Sequence, residues 1–180
     1  FSFSHLQAHD NKKAFSLKGG FGGPMSYLTR VDEGYSLNIG GGGAAVFSNN
    51  LFIGGFSMGT SNLVSNFSTL KGYENHHIQK EYGGLWLGYT YRINQKFLFS
   101  ASIKAGAGNI LLDDKTNQQI IYDDIKIISP VLEIDYPIIS HIMFSWGIGY
   151  DHFFDVDLVS YQNKDFNKLK MNITFKFGLY

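Results

Sequence analysis

What most constrains this chain is a side-chain alternation of period two that recurs eight times, while no stretch sustains a helical period. The alternating stretches run from about Phe15 to Phe21, Tyr35 to Phe47, Leu51 to Thr60, Tyr82 to Ile93, Lys96 to Ile110, Ile125 to Ile138, Ile142 to Asp151 and Lys168 to Tyr180. Successive side chains of a strand point to opposite faces, so such a stretch reads as a strand with two different surroundings. Three links are tight: Ser48-Asn49-Asn50, Asn94-Gln95 and Ile139-Ser140-His141, with Asn and Ser where hairpin turns favour them. The other four, at roughly 22–34, 61–81, 111–124 and 152–165, are long. Strict alternation of short and long links puts every tight turn at one end of the sheet and every long loop at the other. Both termini then share the short-turn end. The expected fold is all-β: an eight-stranded antiparallel up-and-down transmembrane barrel, a single domain over 15–180, with a short polar segment at 1–14.

Parity describes the two faces. One carries Leu85, Leu87, Tyr89, Tyr91 and Ile93, then Phe97, Phe99 and Ile103, then Ile128, Leu132, Ile134 and Tyr136, then Phe144, Trp146, Ile148 and Tyr150, then Met171, Ile173, Phe175, Phe177 and Leu179. The opposite face is glycine, serine and charge, and includes Trp86. A soluble barrel would turn the bulky face inward; a membrane barrel turns it to lipid. Three observations favour lipid. Charged residues are only 17% of the chain, too few for an ordinary wetted surface. Aromatics gather at strand ends: Phe15, Phe47, Phe52, Tyr91, Phe97, Tyr136 and Phe144 near the short turns, and Phe21, Tyr35, Tyr150 and Phe153 near the long loops, as two interfacial girdles require. The chain also closes on an alternating aromatic strand, Ile173 to Tyr180. A mean hydropathy of −0.09 is then the average of an apolar exterior with a polar lumen and loops.

Eight strands, tight turns at one end, long loops at the other and an aromatic last strand resemble the small outer-membrane barrels of Gram-negative bacteria, of the OmpA-membrane-domain and OmpX type. The opening Phe15-Ser16-Leu17-Lys18-Gly19-Gly20-Phe21 and the Asn- and Lys-rich composition are also similar to the PorT-like outer-membrane barrels of Bacteroidetes. The resemblance spans about Phe15 to Tyr180. It departs at Tyr180, which lies off the parity of Phe175, Phe177 and Leu179. It implies a bacterial outer-membrane location with periplasmic termini. The partners it implies are membrane lipids, lipopolysaccharide and other outer-membrane proteins.

An eight-stranded barrel is just wide enough for side chains to fill its interior. Lys18, Arg92, Lys104, Glu133, Asp135 and Lys176 face inward by parity and are expected to pair as a structural charge network, because unpaired buried charge is costly. An open pore of porin size is not expected. A lipid-modifying enzyme at the outer rim is the alternative. Its candidates are His76, His77 and His152, with Ser61, Ser65, Ser68 and Ser160 at similar heights and Asp155 and Asp157 nearby, but no His-x-Ser pattern of a lipid A deacylase is present. No catalytic residue is assigned. Calcium could be held by Asp151, His152, Asp155 and Asp157, or by Asp113, Asp114, Asp123 and Asp124, yet neither set has a metal-loop spacing. No metal or other cofactor is expected.

With 15 basic and 15 acidic residues the chain lacks the positive excess that nucleic-acid binding needs, and with no cysteine it lacks disulfides and thiolate metal ligands. The run Gly40 to Gly43 is followed by no helix, so it is no phosphate cradle; in a strand it permits close approach to a neighbouring surface. The N-terminal stretch lacks the apolar core of a signal peptide and is expected in the periplasm.

Overall fold

The computed structural model describes residues 16–31, 34–61, 76–114, 119–158 and 161–179. In chain order the strands are β1 (Leu17–Val31), β2 (Gly34–Phe47), β3 (Leu51–Thr60), β4 (His76–Arg92), β5 (Leu98–Asp114), β6 (Gln119–Ile139) and β7 (Ile142–Phe154). A small excursion follows, made of β8 (Asp157–Leu158), β9 (Tyr161–Gln162) and one helical turn, α1 (Asn163–Phe166), before β10 (Lys168–Leu179). The eight long strands form a closed antiparallel barrel in which each pairs with its neighbour in sequence and β1 pairs with β10. Expected residues 1–14 and Phe15 lie outside the described residues.

Tight turns hold one end as their residues dictate. Asn50 adopts the left-handed φ of 63° that asparagine tolerates, while the Asn94 side chain accepts hydrogen bonds from the Lys96 and Phe97 amides at 2.8 and 2.9 Å. At the other end the strands run further than the hydrophobic alternation does. β1 continues to Val31, β5 to Asp114, and β6 begins at Gln119, so the expected links 22–34 and 111–124 are largely strand. In 22–31 small outward residues hide the alternation that Met25 and Tyr27 carry on the inner face, and in 111–124 charged and amide residues break it, but paired strands still satisfy their backbone N–H and C=O groups, so the ladder persists.

From β4 to β7 and in β10 the bulky face is outward. Leu85 is 70% exposed, Trp146 51% and Met171 65%, which is the belt a lipid-embedded barrel presents. From β1 to β3 the rule inverts. In the middle of these strands the outer face is a patch of small residues, Gly22, Pro24, Gly41, Gly43, Gly55 and Ser57, in register as Gly22–Gly43–Gly55 and Pro24–Gly41–Ser57, with Leu28, Ile39 and Ile53 exposed around it. Phe21, Met25, Tyr27, Phe52, Phe56 and Met58 of these strands fill the lumen. Two members of the expected girdles, Phe21 and Phe52, are therefore core residues. A third, Phe153, is also buried, on the parity opposite to Tyr150.

Volume explains the inversion. The interior of an eight-stranded barrel is fixed in size, and where Gly84, Gly88, Gly106, Gly108, Gly147 and Gly149 line it, large side chains from other positions, Phe21, Phe52, Phe56 and Trp86 among them, must supply the bulk. Phe21, Phe52 and Trp86 meet edge to face with centroids 5.3–5.5 Å apart. Gly88 makes room for them: a Cβ there would lie 2.2 Å from the Phe52 ring.

The glycines differ in what an added side chain would meet. At inward Gly54 and Gly147 an added Cβ would sit 1.9 Å from a neighbouring strand's carbonyl oxygen. At outward Gly22, Gly41 and Gly55 the nearest atom would be 3.3, 3.3 and 3.4 Å away, near the edge of ordinary contact, whereas outward Gly43 and Gly83 are tighter at 3.0 and 2.8 Å. Barrel geometry demands the first set. It does not demand the second.

Candidate functional site: the lumen and its two mouths

Two charged layers cross the lumen. Nearer the short turns, Lys176 of β10 bridges Glu133 and Asp135 of β6 at 3.2 and 2.9 Å, and all three side chains are essentially without solvent contact. Ser100 donates to the second Asp135 oxygen, and Thr174 donates to Glu133 at 3.1 Å. The carboxylates, both on β6, are thus held by charge-assisted hydrogen bonds from β5 and β10. Lys104 lies in this layer but against rings: its ammonium sits 4.8 Å from the Trp86 centroid and 3.6 Å from Met25 Sδ.

A second layer lies toward the long loops. Lys170 and Asp151 pair at 2.5 Å, both buried, with Lys170 over the Tyr27 ring and the Tyr27 and Tyr82 hydroxyls hydrogen-bonded to each other. Lys80, also buried, faces the rings of Phe153 and Phe166 at 5.4 and 5.8 Å. Sequence reasoning missed this layer, although a signal existed. Lys170 shares the parity of Asn172, Thr174 and Lys176, and Asp151 that of Gly147 and Gly149; Lys80 fell in a stretch read as loop.

The excursion between β7 and β10 covers the long-loop end. Asn163 and Asn167 accept hydrogen bonds from the Val156 and Phe153 amides at 2.9 and 2.7 Å, folding the segment back on itself. Val156 and Phe166 become buried, with Phe166 against Phe153. Outside, Lys126 and Asp155 form an exposed ion pair at 2.7 Å.

Lys18 and Arg92 stand apart from the network. Both are exposed at the short-turn end, where Lys18 occupies a register shift in β1 between Leu17 and Gly19. With Asp135 and Lys176 they line a cavity of about 90 Å³ at that mouth.

Of the expected girdle, Tyr91, Phe97 and Tyr136 are exposed near the short turns, and Tyr35 and Tyr150 toward the long loops; Phe47 is half-buried. Phe144 packs against Phe175 on the outer face. Among the described residues the rim candidates do not come together. His152 points outward between the rings of Tyr150 and Phe154. Asp151, placed beside it in the calcium expectation, turns into the lumen to Lys170, because adjacent strand residues face opposite ways. His76 and His77 pair by backbone with Asp114 and Asp113, and Ser65, Ser68 and Ser160 lie outside the described residues. Among the described residues no group of three potential ligand side chains converges.

No protein-family model matches the chain, and no curated protein matches it in sequence. In structure it is similar to Neisserial surface protein A (NspA), with a TM-score of 0.63, 6% identity, and coverage of 89% of this chain and 95% of that one. The N-terminal β-barrel domain of Pseudomonas aeruginosa OprF gives a TM-score of 0.60 at 7% identity, covering 91% and 98%. Ail, the attachment invasion locus protein of Yersinia pestis, gives 0.52 at 12% identity, covering 91% and 100%. The fold is that of the small eight-stranded outer-membrane barrels. The PorT-like resemblance has no counterpart among these three.

Proposed function

We propose that the chain is a non-enzymatic integral barrel of a bacterial outer membrane, with both termini in the periplasm, serving a structural or accessory role as one subunit of a larger envelope assembly. Its surroundings are outer-membrane lipids and lipopolysaccharide, met by the apolar belt and its interfacial aromatics. The lumen charge network, with Glu133, Asp135, Lys104 and Lys176 packed among rings, is a structural plug rather than a conduit. The ring contacts of His152 support the non-enzymatic reading over the lipid-modifying alternative.

One observation carries the subunit role: the middle of the outer face of β1–β3 is a patch of small residues, although a Cβ at Gly22, Gly41 or Gly55 would ask its neighbours to give by only a few tenths of an ångström at most. Lipid tails are as apolar as leucine, so association inside a membrane draws on close packing, and small residues let another backbone approach. Purification from native membranes in mild detergent tests this. Other outer-membrane proteins should co-elute with the barrel, and Gly41→Leu/Gly55→Leu should release them while the barrel stays folded. A lone monomer at every detergent strength would overturn the subunit role. An unchanged lipid A profile after deletion of the protein is expected; an altered profile would instead favour the rim enzyme.

A further inference from the structure

We infer that the short-turn mouth of the lumen is a binding site for a monocarboxylate on a short alkyl stem. The site goes beyond the subunit role and holds equally for a barrel that acts alone. Charge arithmetic is the first argument. Lys176 bridges both carboxylates of the adjoining layer, and Lys104 adds a second positive charge to that layer. Lys18 and Arg92 therefore stand as surplus cations, without an ion-pair partner among the described residues, on the wall of a cavity that already exists.

Shape and lining give the ligand class. Side chains from seven of the eight long strands ring the cavity, so it lies within the barrel wall and not on the lipid side. Its volume of about 90 Å³ is several times the ~10–15 Å³ that admits one water on the same measure, enough for an acid of three or four carbons. Phe21, Leu98 and Met143 supply apolar wall for the stem. The guanidinium of Arg92 offers two parallel N–H groups that fit one carboxylate, and Lys18 adds a mobile point charge. Asp135 contributes to the wall too, but Lys176 and Ser100 hold one oxygen each. The apolar wall favours an anion with a hydrocarbon stem over phosphate, whose remaining oxygens would face Phe21, Leu98 and Met143 without partners. The carboxylate has two possible sources: a free short-chain acid, or a glutamate side chain of a periplasmic partner.

The test uses the full chain in a non-ionic detergent micelle at low salt, titrated with butyrate, inorganic phosphate or a blocked Gly-Glu-Gly peptide, and read by amide chemical shifts. Butyrate should give saturable shifts at Gly19, Thr90 and Leu98, leave the Lys170–Asp151 layer unmoved, and bind more tightly than phosphate. Arg92→Gln should weaken it at least tenfold, with Arg92→Lys intermediate because it keeps the charge and loses the fork. Competition by the peptide for the same amides would assign the site to a partner's glutamate; butyrate binding without such competition would assign it to a free acid. Both arms support the site. Shifts that stay linear, an Arg92→Gln barrel that binds butyrate as the unaltered one does, or phosphate binding at least as tightly would overturn it. Because Arg92 is exposed, its variants should keep the folded barrel's gel mobility, which separates lost binding from lost folding.

Discussion

Alanine at Gly54 and at Gly55 should move the stability of the barrel in opposite directions, although the positions are adjacent on β3. At Gly54 the new Cβ would lie 1.9 Å from the Gly43 carbonyl oxygen and 2.5 Å from the Ala44 Cα, both on the neighbouring strand. Neither can rotate away as a side chain tip could. Cβ contacts below 3.0 Å essentially do not occur, so β2 and β3 must part by roughly 1 Å at this point, stretching the ladder of a closed ring. Overpacking of this kind costs about 1–3 kcal/mol. Removing a glycine from the unfolded chain returns about 0.4–1 kcal/mol, leaving Gly54→Ala destabilised by about 1–2 kcal/mol. At Gly55 the nearest atom is 3.4 Å away, so only the unfolded-chain effect remains and the variant gains about 0.4–1 kcal/mol. Guanidinium titration of the isolated barrel in vesicles measures both, through the fraction that keeps the folded gel mobility. Equal shifts, or a larger loss at Gly55, would refute the division of glycines into those the barrel requires and those it does not.

Lys176→Met should cost about 3–5 kcal/mol in the same titration, because Glu133 and Asp135 lose their bridging cation inside the lumen, and adding Glu133→Gln and Asp135→Asn should recover most of it. Brominated lipids should quench Trp146 and spare Trp86, so Trp146→Phe abolishes quenching and Trp86→Phe retains it. In planar bilayers the protein should give no stable openings of porin size; recording them would contradict the filled lumen. Phe166→Ala should speed amide exchange across 163–167 by opening the cover over Phe153 and Lys80, and an unchanged exchange rate would count against that cover.

The strands read most clearly from sequence were those with lipid on one side and glycine or serine on the other. Leu85 against Gly84, and Ile148 against Gly147, differ enough in size for parity to show. The first three strands could not be read the same way. In the middle of these strands the outer residues are as small as the lumen residues elsewhere, so the usual contrast reverses there, and Phe21 and Phe52 read as interfacial rings. Phe153 was a different failure: its odd number set it on the lumen parity of β7, and only its closeness to the loop suggested otherwise. Glu133, Asp135 and Lys176 could be placed on the inner face by counting alone. Which cation meets which carboxylate depends on the stagger between β6 and β10, strands with β7 between them, and stagger is not written in either strand. Lys18 reached the mouth through a register shift that no local pattern announces.

Closure of the ring has a consequence for how the chain reaches this state. Seven of the eight seams join strands adjacent in sequence and can form as hairpins. The eighth brings together residues 141 to 159 positions apart, from Thr29–Lys170 to Gly20–Leu179. A loop of that length costs about 3 kcal/mol more to close than a four-residue turn. Until that seam forms, the edges of β1 and β10 bear unpaired backbone groups, which hydrocarbon does not tolerate. Insertion and closure must therefore be nearly one event, and the slow step of folding falls on the meeting of the first and last strands.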